Sequence, residues 1–84
     1  MRLRSEGLTW QEIDGELVLL DLTTSAYLTT NVAGAVLAKQ LTEERTLDEL
    51  ADALVAEFGI GREQALADAE AFVQDLQAKG LLAS

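Results

Sequence analysis

Carboxylates are the main side chains of this 84-residue sequence that could do acid–base chemistry, because it has no histidine and no cysteine. It therefore lacks the usual general bases, thiol nucleophiles and zinc ligands. Two carboxylate pairs, Glu43–Glu44 and Asp48–Glu49, are the candidates for an acid–base dyad. Both lie at predicted helix starts, where acidic groups stabilise the positive end of the helix dipole. We predict that the protein is not an enzyme and holds no metal or cofactor.

The charge balance argues against binding to nucleic acid. Six Lys and Arg against fifteen Asp and Glu give a formal net charge of -9, which repels phosphate backbones. The last predicted helix has Arg62 and Gln64 near its start, as a DNA-reading helix would. The same helix carries Glu63, Asp68, Glu70 and Asp75. These acids either steer a basic partner or form a solvated helix face.

Length and hydropathy predict one domain over residues 1–84 in the cytoplasm, with no membrane partner. The chain is too short for two cores, although 49% of its residues are hydrophobic. No apolar run approaches the roughly 20 residues of a membrane span. Met1–Arg4 carries two positive charges but is not followed by the apolar stretch of a signal peptide.

The first half of the sequence predicts a three-stranded antiparallel meander. Asp14–Gly15 lies between apolar runs and favours a type I′ hairpin turn. With that turn, Trp10 pairs with Leu19 across the hairpin. A polar turn then leads to Tyr27–Thr30, whose Tyr and Thr content suits a third, shorter strand.

The second half predicts three helices. The first begins at the N-cap Asn31 and runs to about Leu41, and the second lies between the capping box of Thr46 and Gly59. The third follows Arg62 and ends at a Gly80 C-cap. The order βββααα predicts one α+β domain, and the last two helices give it a winged helix-turn-helix-like outline.

The last strand of the meander is an unguarded sheet edge. The segment Ala26–Thr30 has neither a charge nor a proline to discourage pairing with another chain. An extended peptide added there would gain main-chain hydrogen bonds and side-chain pockets. The alternative is a short strand that packs under the third helix and binds nothing.

An ordered set of short segments from about Leu8 to Leu82 resembles the PqqD-like family, the RiPP recognition elements that bind leader peptides of ribosomally made, modified peptides. The segments are Gly15-Glu16-Leu17-Val18-Leu19-Leu20-Asp21, Tyr27, Asn31, Thr46-Leu47-Asp48-Glu49-Leu50 and Lys79-Gly80-Leu81-Leu82. A free-standing acidic domain of this length is similar to the leader-binding protein of lasso peptide pathways.

The resemblance implies that a leader peptide adds as a further antiparallel strand beside the third strand, with its apolar side chains in a groove against the third helix. The strand side of this site is Ala26, Tyr27, Leu28, Thr29 and Thr30. The helix side is Asp68, Ala69, Phe72, Val73, Asp75 and Leu76. In this reading Phe72 is the aromatic wall, and Asp68 or Asp75 meets basic leader residues.

The resemblance also implies two partner enzymes, a cysteine-type leader peptidase and an ATP-dependent cyclase that forms the macrolactam. The protein would act as a peptide chaperone that raises the effective concentration of the core peptide near them. The turn geometry places Val18, Leu20, Leu22 and Tyr27 on one sheet face, which would dock the peptidase if the helices leave it bare. The competing interpretation is a transcription-related winged-helix module that binds a protein partner or dimerises through the same edge.

Overall fold

The computed structural model describes residues 1–83 as three strands followed by three helices. The strands β1 (Leu8–Ile13), β2 (Glu16–Asp21) and β3 (Tyr27–Thr29) form one antiparallel sheet in the order β1-β2-β3. The helices are α1 (Val32–Gln40), α2 (Leu47–Phe58) and α3 (Arg62–Ala78). The predicted α+β fold is confirmed. The winged-helix-like outline and the single-domain assignment of residues 1–84 stay predictions.

The β1–β2 hairpin has the predicted turn and register. Asp14 and Gly15 have φ angles of 54° and 80°, and a type I′ turn requires positive φ at both positions. Trp10 lies opposite Leu19. Because side chains alternate along a strand, this register turns Leu19 into the core, where it is 2% exposed, and turns Leu20 to the opposite face.

Strand β3 is shorter than the predicted Ala26–Thr30, but its hydrogen bonding to β2 continues at both ends. The N–H of Asp21 donates to the carbonyl of Ala26, and the N–H of Thr30 donates to the carbonyl of Leu17, both at 2.8 Å. The buried Thr30 hydroxyl also accepts the N–H of Leu17 at 3.1 Å. These bonds place β3 and the start of α1 relative to β2.

Helices α1 and α2 begin and end where the sequence signals predict, whereas α3 already includes Arg62 and has Lys79, not Gly80, as its C-cap. Gly80 follows this cap in the left-handed conformation, with φ of 69°. Asn31 caps α1 by accepting the N–H of Gly34 at 2.8 Å, and Thr46 and Glu49 form a capping box at α2. Gly59 ends α2 in the left-handed conformation, with φ of 65°. Helix α1 packs on β2, and α2 packs on α1 and α3. Their shared core contains Leu17, Leu19, Leu37, Leu41, Leu50, Leu54, Leu76 and Leu81.

The N-terminal segment, residues 1–4, is built into this core, which the sequence patterns did not predict. The N–H of Leu3 donates to the carbonyl of Leu41 at 2.8 Å, and the N–H of Arg4 donates to the carbonyl of Leu81 at 3.0 Å. The Arg4 guanidinium forms an ion pair with Asp21, which is only 1% exposed. The segment thereby ties the end of β2 to the residues that follow α1 and α3.

Asp21 stays ionised in this buried position because of its partners. Burial raises the pKa of its carboxyl group, but hydrogen bonds from the Thr23 N–H, Arg4 and Thr24, together with the charge of Arg4, outweigh that effect. The pKa of Asp21 is therefore lowered from its ordinary value of 3.8. The ionised carboxylate therefore stabilises the folded state fully above pH 3.8, the ordinary pKa. This stabilisation is lost as the pH falls from there through the lower pKa of the folded state.

We expect Asp21→Asn to lower the melting temperature at pH 7 by roughly 5 to 10 °C, because it leaves the Arg4 charge without a partner. The difference from wild type should be smaller at pH 3 than at pH 7, because below about pH 3.8 the unfolded wild-type chain takes up a proton at Asp21 more readily than the folded protein does. Thermal unfolding followed by circular dichroism measures both effects. Asp14→Asn in the exposed hairpin turn is the matched control and should change little. An equal difference at both pH values would contradict a role for the Asp21 charge.

Candidate functional site

The free edge of β3 offers unpaired main-chain groups. Leu28 pairs with Leu19 of β2, and the Ala26 carbonyl and Thr30 N–H also bond toward β2. Successive residues of a strand direct their main-chain groups to opposite sides. Tyr27 and Thr29 therefore direct their N–H and C=O groups away from β2, toward solvent. Both residues are exposed, Tyr27 to 65%.

Asn31 extends this row of donors past the end of β3. It has an extended backbone (φ −81°, ψ −175°), so its N–H lies on the same side as that of Thr29. Its side-chain oxygen accepts the N–H of Gly34, which leaves the amide nitrogen as a donor. Among residues 1–83, neither nitrogen of Asn31 has an acceptor. The sequence analysis recognised Asn31 only as a helix cap.

A groove lies between α1 and α3, and Asn31, two residues beyond the end of β3, lines it. Within the described chain, no Cα atom of β3 lies within 8 Å of one in α3, because α3 packs on α2 and, less extensively, on α1. A cavity of about 480 Å³ occupies the space between the first turns of α1 and the middle of α3. Its lining residues are Asn31, Ala33, Gly34 and Leu37 from α1, and Asp68, Ala71, Phe72 and Asp75 from α3. We call this cavity the α1–α3 groove.

The close approach of α1 and α3 at the bottom of the groove depends on Gly34. A Cβ atom on Gly34 would lie 2.8 Å from Cβ of Thr30 and 3.3 Å from the Phe72 ring atom Cε1. The first distance is shorter than real Cβ contacts, and Thr30 is held by its two hydrogen bonds to Leu17. The absence of a side chain at this position therefore sets where the Phe72 ring lies.

The rim of the groove on α3 is acidic. Asp68 and Asp75 precede and follow Phe72 by about one helical turn, so all three lie on one face of α3. Asp75 accepts a bond from Nζ of Lys79 at 3.0 Å, and Asp68 accepts one from Nε2 of Gln64 at 2.8 Å. An apolar floor with carboxylates at its edge suits an extended apolar segment that carries basic groups.

The structure separates the predicted site residues into four groups. Asp68, Phe72 and Asp75 line the α1–α3 groove, and Tyr27 and Thr29 lie on the free edge. Ala26 and Thr30 use backbone groups toward β2, as described above. The side chains of Leu28, Ala69, Val73 and Leu76 are no more than 8% exposed and belong to the core. Ala69, Val73 and Leu76 each directly follow a groove residue in the sequence, which places them on the neighbouring, core-facing side of α3.

Sequence reasoning did not find the α1 wall of the groove, Ala33, Gly34 and Leu37, or Ala71 on α3. One signal was present, since a glycine inside a predicted helix often marks a close approach of two elements. The partner in that approach depends on how α3 packs on α2, which a single helix pattern does not contain.

The outer face of the sheet is not covered by a helix and carries exposed apolar side chains beside Thr9, Gln11, Glu16 and Thr29. The helices cover the face that carries Leu17 and Leu19, while Val18 and Leu20 on the other face are only half-buried. Beside them Ile13, Leu22 and Tyr27 are 53%, 63% and 65% exposed. The sequence-based grouping of Val18, Leu20 and Tyr27 on one face agrees with the strand register.

Neither a metal site nor a membrane span is found in the described part of the chain. Residues 1–83 contain no group of three or more Asp, Glu, His or Cys side chains arranged to hold a metal ion. None of the three helices in that range combines the length and apolar character needed to cross a membrane.

Comparison with known proteins gives one family and two similar structures. Residues 16–82 match the family described as Coenzyme PQQ synthesis protein D (PqqD). The structure "TbiB1 in Complex with the TbiA(beta) Leader Peptide" is 32% identical with a TM-score of 0.85, over 98% of this chain and 94% of that chain. "Lasso peptide synthetase B1 complexed with the leader peptide" is 28% identical with a TM-score of 0.79, over 95% and 93%. Curated proteins give no match.

We expect Gly34→Ala to destabilise the protein, although the same change inside an ordinary helix stabilises it by about 1 kcal/mol. The added methyl group must displace Thr30 or Phe72. Thermal unfolding measures the change in stability, and shifts of the Phe72 ring resonances in NMR spectra report the change in the groove. Gly61→Ala is the control, because nothing lies within 4 Å of the added atom. A Gly34→Ala variant more stable than wild type would contradict the close packing.

Proposed function

Because this chain belongs to the PqqD family, as a PqqD-like RiPP recognition element, we propose that it binds the leader peptide of a ribosomally synthesised precursor in a lasso peptide pathway. Both similar solved structures are complexes with a leader peptide, which supports the proposal. The observation that carries it is the free edge of β3 beside the open α1–α3 groove.

In the proposed mode the leader adds to the sheet as a fourth, antiparallel strand. The outward N–H and C=O groups of Tyr27 and Thr29 pair with its backbone, and Asn31 continues the row. This pairing does not depend on the leader's side chains. It therefore provides affinity, while the groove provides specificity.

Side chains on one face of the added strand point into the α1–α3 groove, because alternate residues of a strand lie on the same face. Phe72 is half-buried and forms the aromatic wall of the groove. A large apolar leader residue packed against it would be the main anchor, as buried aromatic contacts often are in interfaces. Asp68 and Asp75 lie where basic leader residues would meet them.

The protein performs no bond chemistry in this proposal. It holds the leader in one conformation and presents the attached core peptide to a cysteine-type leader peptidase and an ATP-dependent macrolactam cyclase. Tethering raises the effective concentration of the core peptide, to the millimolar range for short flexible linkers. The whole process takes place in the cytoplasm in this proposal.

The bare outer face of the sheet is the proposed docking surface for the peptidase. Its apolar residues are Ile13, Val18, Leu20, Leu22 and Tyr27. This face lies on the opposite side of the sheet from the α1–α3 groove. The protein could therefore bind leader and peptidase at the same time.

We expect Thr29→Pro to weaken leader binding by about tenfold or more, because proline removes an outward N–H while β3 stays paired to β2. Thr29→Ala keeps the N–H and is the matched control, with an expected change below about threefold. The measurement is fluorescence polarisation with a labelled synthetic leader, taken from the short precursor gene beside this one. Circular dichroism verifies folding of each variant.

In the same titration we expect Phe72→Ala to weaken binding by at least about tenfold, because it removes most of the groove wall. If both variants bind the leader as tightly as wild type, the protein still binds leader peptides but its binding site lies elsewhere. A folded wild-type protein that does not bind up to high micromolar concentrations would contradict the proposed function and favour a protein-interaction module.

We expect Leu20→Lys and Leu22→Lys to leave leader affinity within about twofold and to reduce stimulation of the peptidase by at least about tenfold, because each places a charge in an apolar contact surface. Ala56→Lys adds the same charge on the exposed side of α2 and serves as the control. Leader cleavage in the presence of each variant is followed by mass spectrometry. Normal stimulation by folded Leu20→Lys and Leu22→Lys variants would exclude this docking face.

A further inference from the structure

The two carboxylates of the α1–α3 groove differ in how they are neutralised. Asp75 forms an i,i+4 ion pair with Lys79, with 3.0 Å between Nζ and Oδ1. Asp68 has only an uncharged partner, since its Oδ1 accepts from Nε2 of Gln64 at 2.8 Å. A bound cation therefore gains a full opposite charge at Asp68 but must compete with Lys79 at Asp75.

The described part of the chain has no other cation to offer Asp68. Five of the six Lys and Arg side chains already pair with other acids: Arg4 with Asp21, Lys39 with Glu12, Arg45 with Glu43 and Glu49, Arg62 with Asp48 and Asp52, and Lys79 with Asp75. The sixth, Arg2, lies beside the C-terminal segment, where its carbonyl accepts the N–H of Ala83 at 2.8 Å. Asp68 is thus left with its charge in a protein of net charge -9.

The surface next to Asp68 has the shape and chemistry to take a long cationic side chain. Ala71 and Phe72 follow Asp68 by three and four residues, so they lie beside it on the same face of α3. Their apolar atoms can cover the methylene stem of a Lys or Arg while its charged end reaches the carboxylate. The Phe72 ring adds an attraction to the cation.

We propose that Asp68 is the specificity-determining residue of the groove and selects a Lys or Arg side chain of the bound leader strand, a role that Asp75 does not share. The inference rests on the proposed function. Because Gln64 already donates to one oxygen of Asp68, the cation bonds mainly to the other. A single-point contact of this kind does not require the two-pronged geometry of arginine, so lysine and arginine serve about equally well.

A double-mutant cycle tests this inference. The probe is the fluorescein-labelled synthetic leader encoded by the neighbouring precursor gene, together with peptides in which each Lys or Arg is changed in turn to Gln. Each peptide is titrated with wild type, Asp68→Asn, Asp75→Asn and the matched control Glu70→Gln at 50 mM and 300 mM salt. Glu70 is exposed on α3 and does not line the groove, so removing its charge separates a specific contact from general attraction.

For one peptide position, we expect Gln to weaken binding to wild type by about fivefold to tenfold and Asp68→Asn to weaken binding of the unchanged leader equally. Combining the two changes should cost little more than either alone, while Glu70→Gln should stay within about twofold and Asp75→Asn should show no such coupling to any peptide position. High salt should reduce the loss caused by Asp68→Asn. Exchange of Lys and Arg at that position should also stay within about twofold.

The inference would be overturned, with leader binding intact, if Asp68→Asn bound the leader as tightly as wild type does. It would also be overturned if the affinity losses of protein and peptide changes were additive at every peptide position, or if wild type bound a leader without Lys or Arg tightly. Coupling of the same size between Asp75→Asn and a peptide position would also contradict it. Absence of binding by folded wild type to the unchanged leader is a different result, since it would contradict the proposed function itself.

Discussion

The free edge of β3 presents the N–H and C=O groups of Tyr27 and Thr29 to solvent, and the packing of the helices leaves this edge open. Hydrogen bonding of an unpaired main-chain group to another strand lowers the free energy, so an open edge can pair with a further strand unless something covers it. Two features of the fold keep this edge open: the chain turns into α1 directly after Thr30, and α3 packs on α2 instead of on β3. The α1–α3 groove is the space that this arrangement leaves.

The position of the edge is set by buried polar contacts as much as by apolar packing. Thr30 exchanges two hydrogen bonds with Leu17, and the Asp21 N–H bonds to Ala26, so both ends of β3 are tied to β2. Asp21 also pairs with Arg4 of the N-terminal segment. Such contacts are costly to break in a buried site, because they leave a polar group or charge unsatisfied. A short strand of three residues is held in one register by them.

The two sides of the sheet present different surfaces. The α1–α3 groove combines an apolar floor with the carboxylate of Asp68, while the apolar side chains of Ile13, Leu22 and Tyr27 are exposed on the outer side. In the proposed function these surfaces serve different partners, the leader peptide and the peptidase. A net charge of -9 would speed the approach of a basic leader and keep nucleic acid away. In the proposed mode the net charge acts on partner choice at long range, and Asp68 acts at contact distance.

The order of elements, the type I′ turn at Asp14–Gly15, the β1–β2 register and the caps of α1 and α2 could be predicted from the sequence, because they depend on residues close together in the chain. The sequence also predicted an exposed third strand and placed Phe72 and Asp68 on the relevant face of α3. Long-range packing, in contrast, puts Ala69 and Leu76 of the same helix in the core, places Gly34 against Phe72 and pairs Arg4 with Asp21. The physical reason is that one helical stripe serves both core and groove, and the packing of distant elements selects which residues do which.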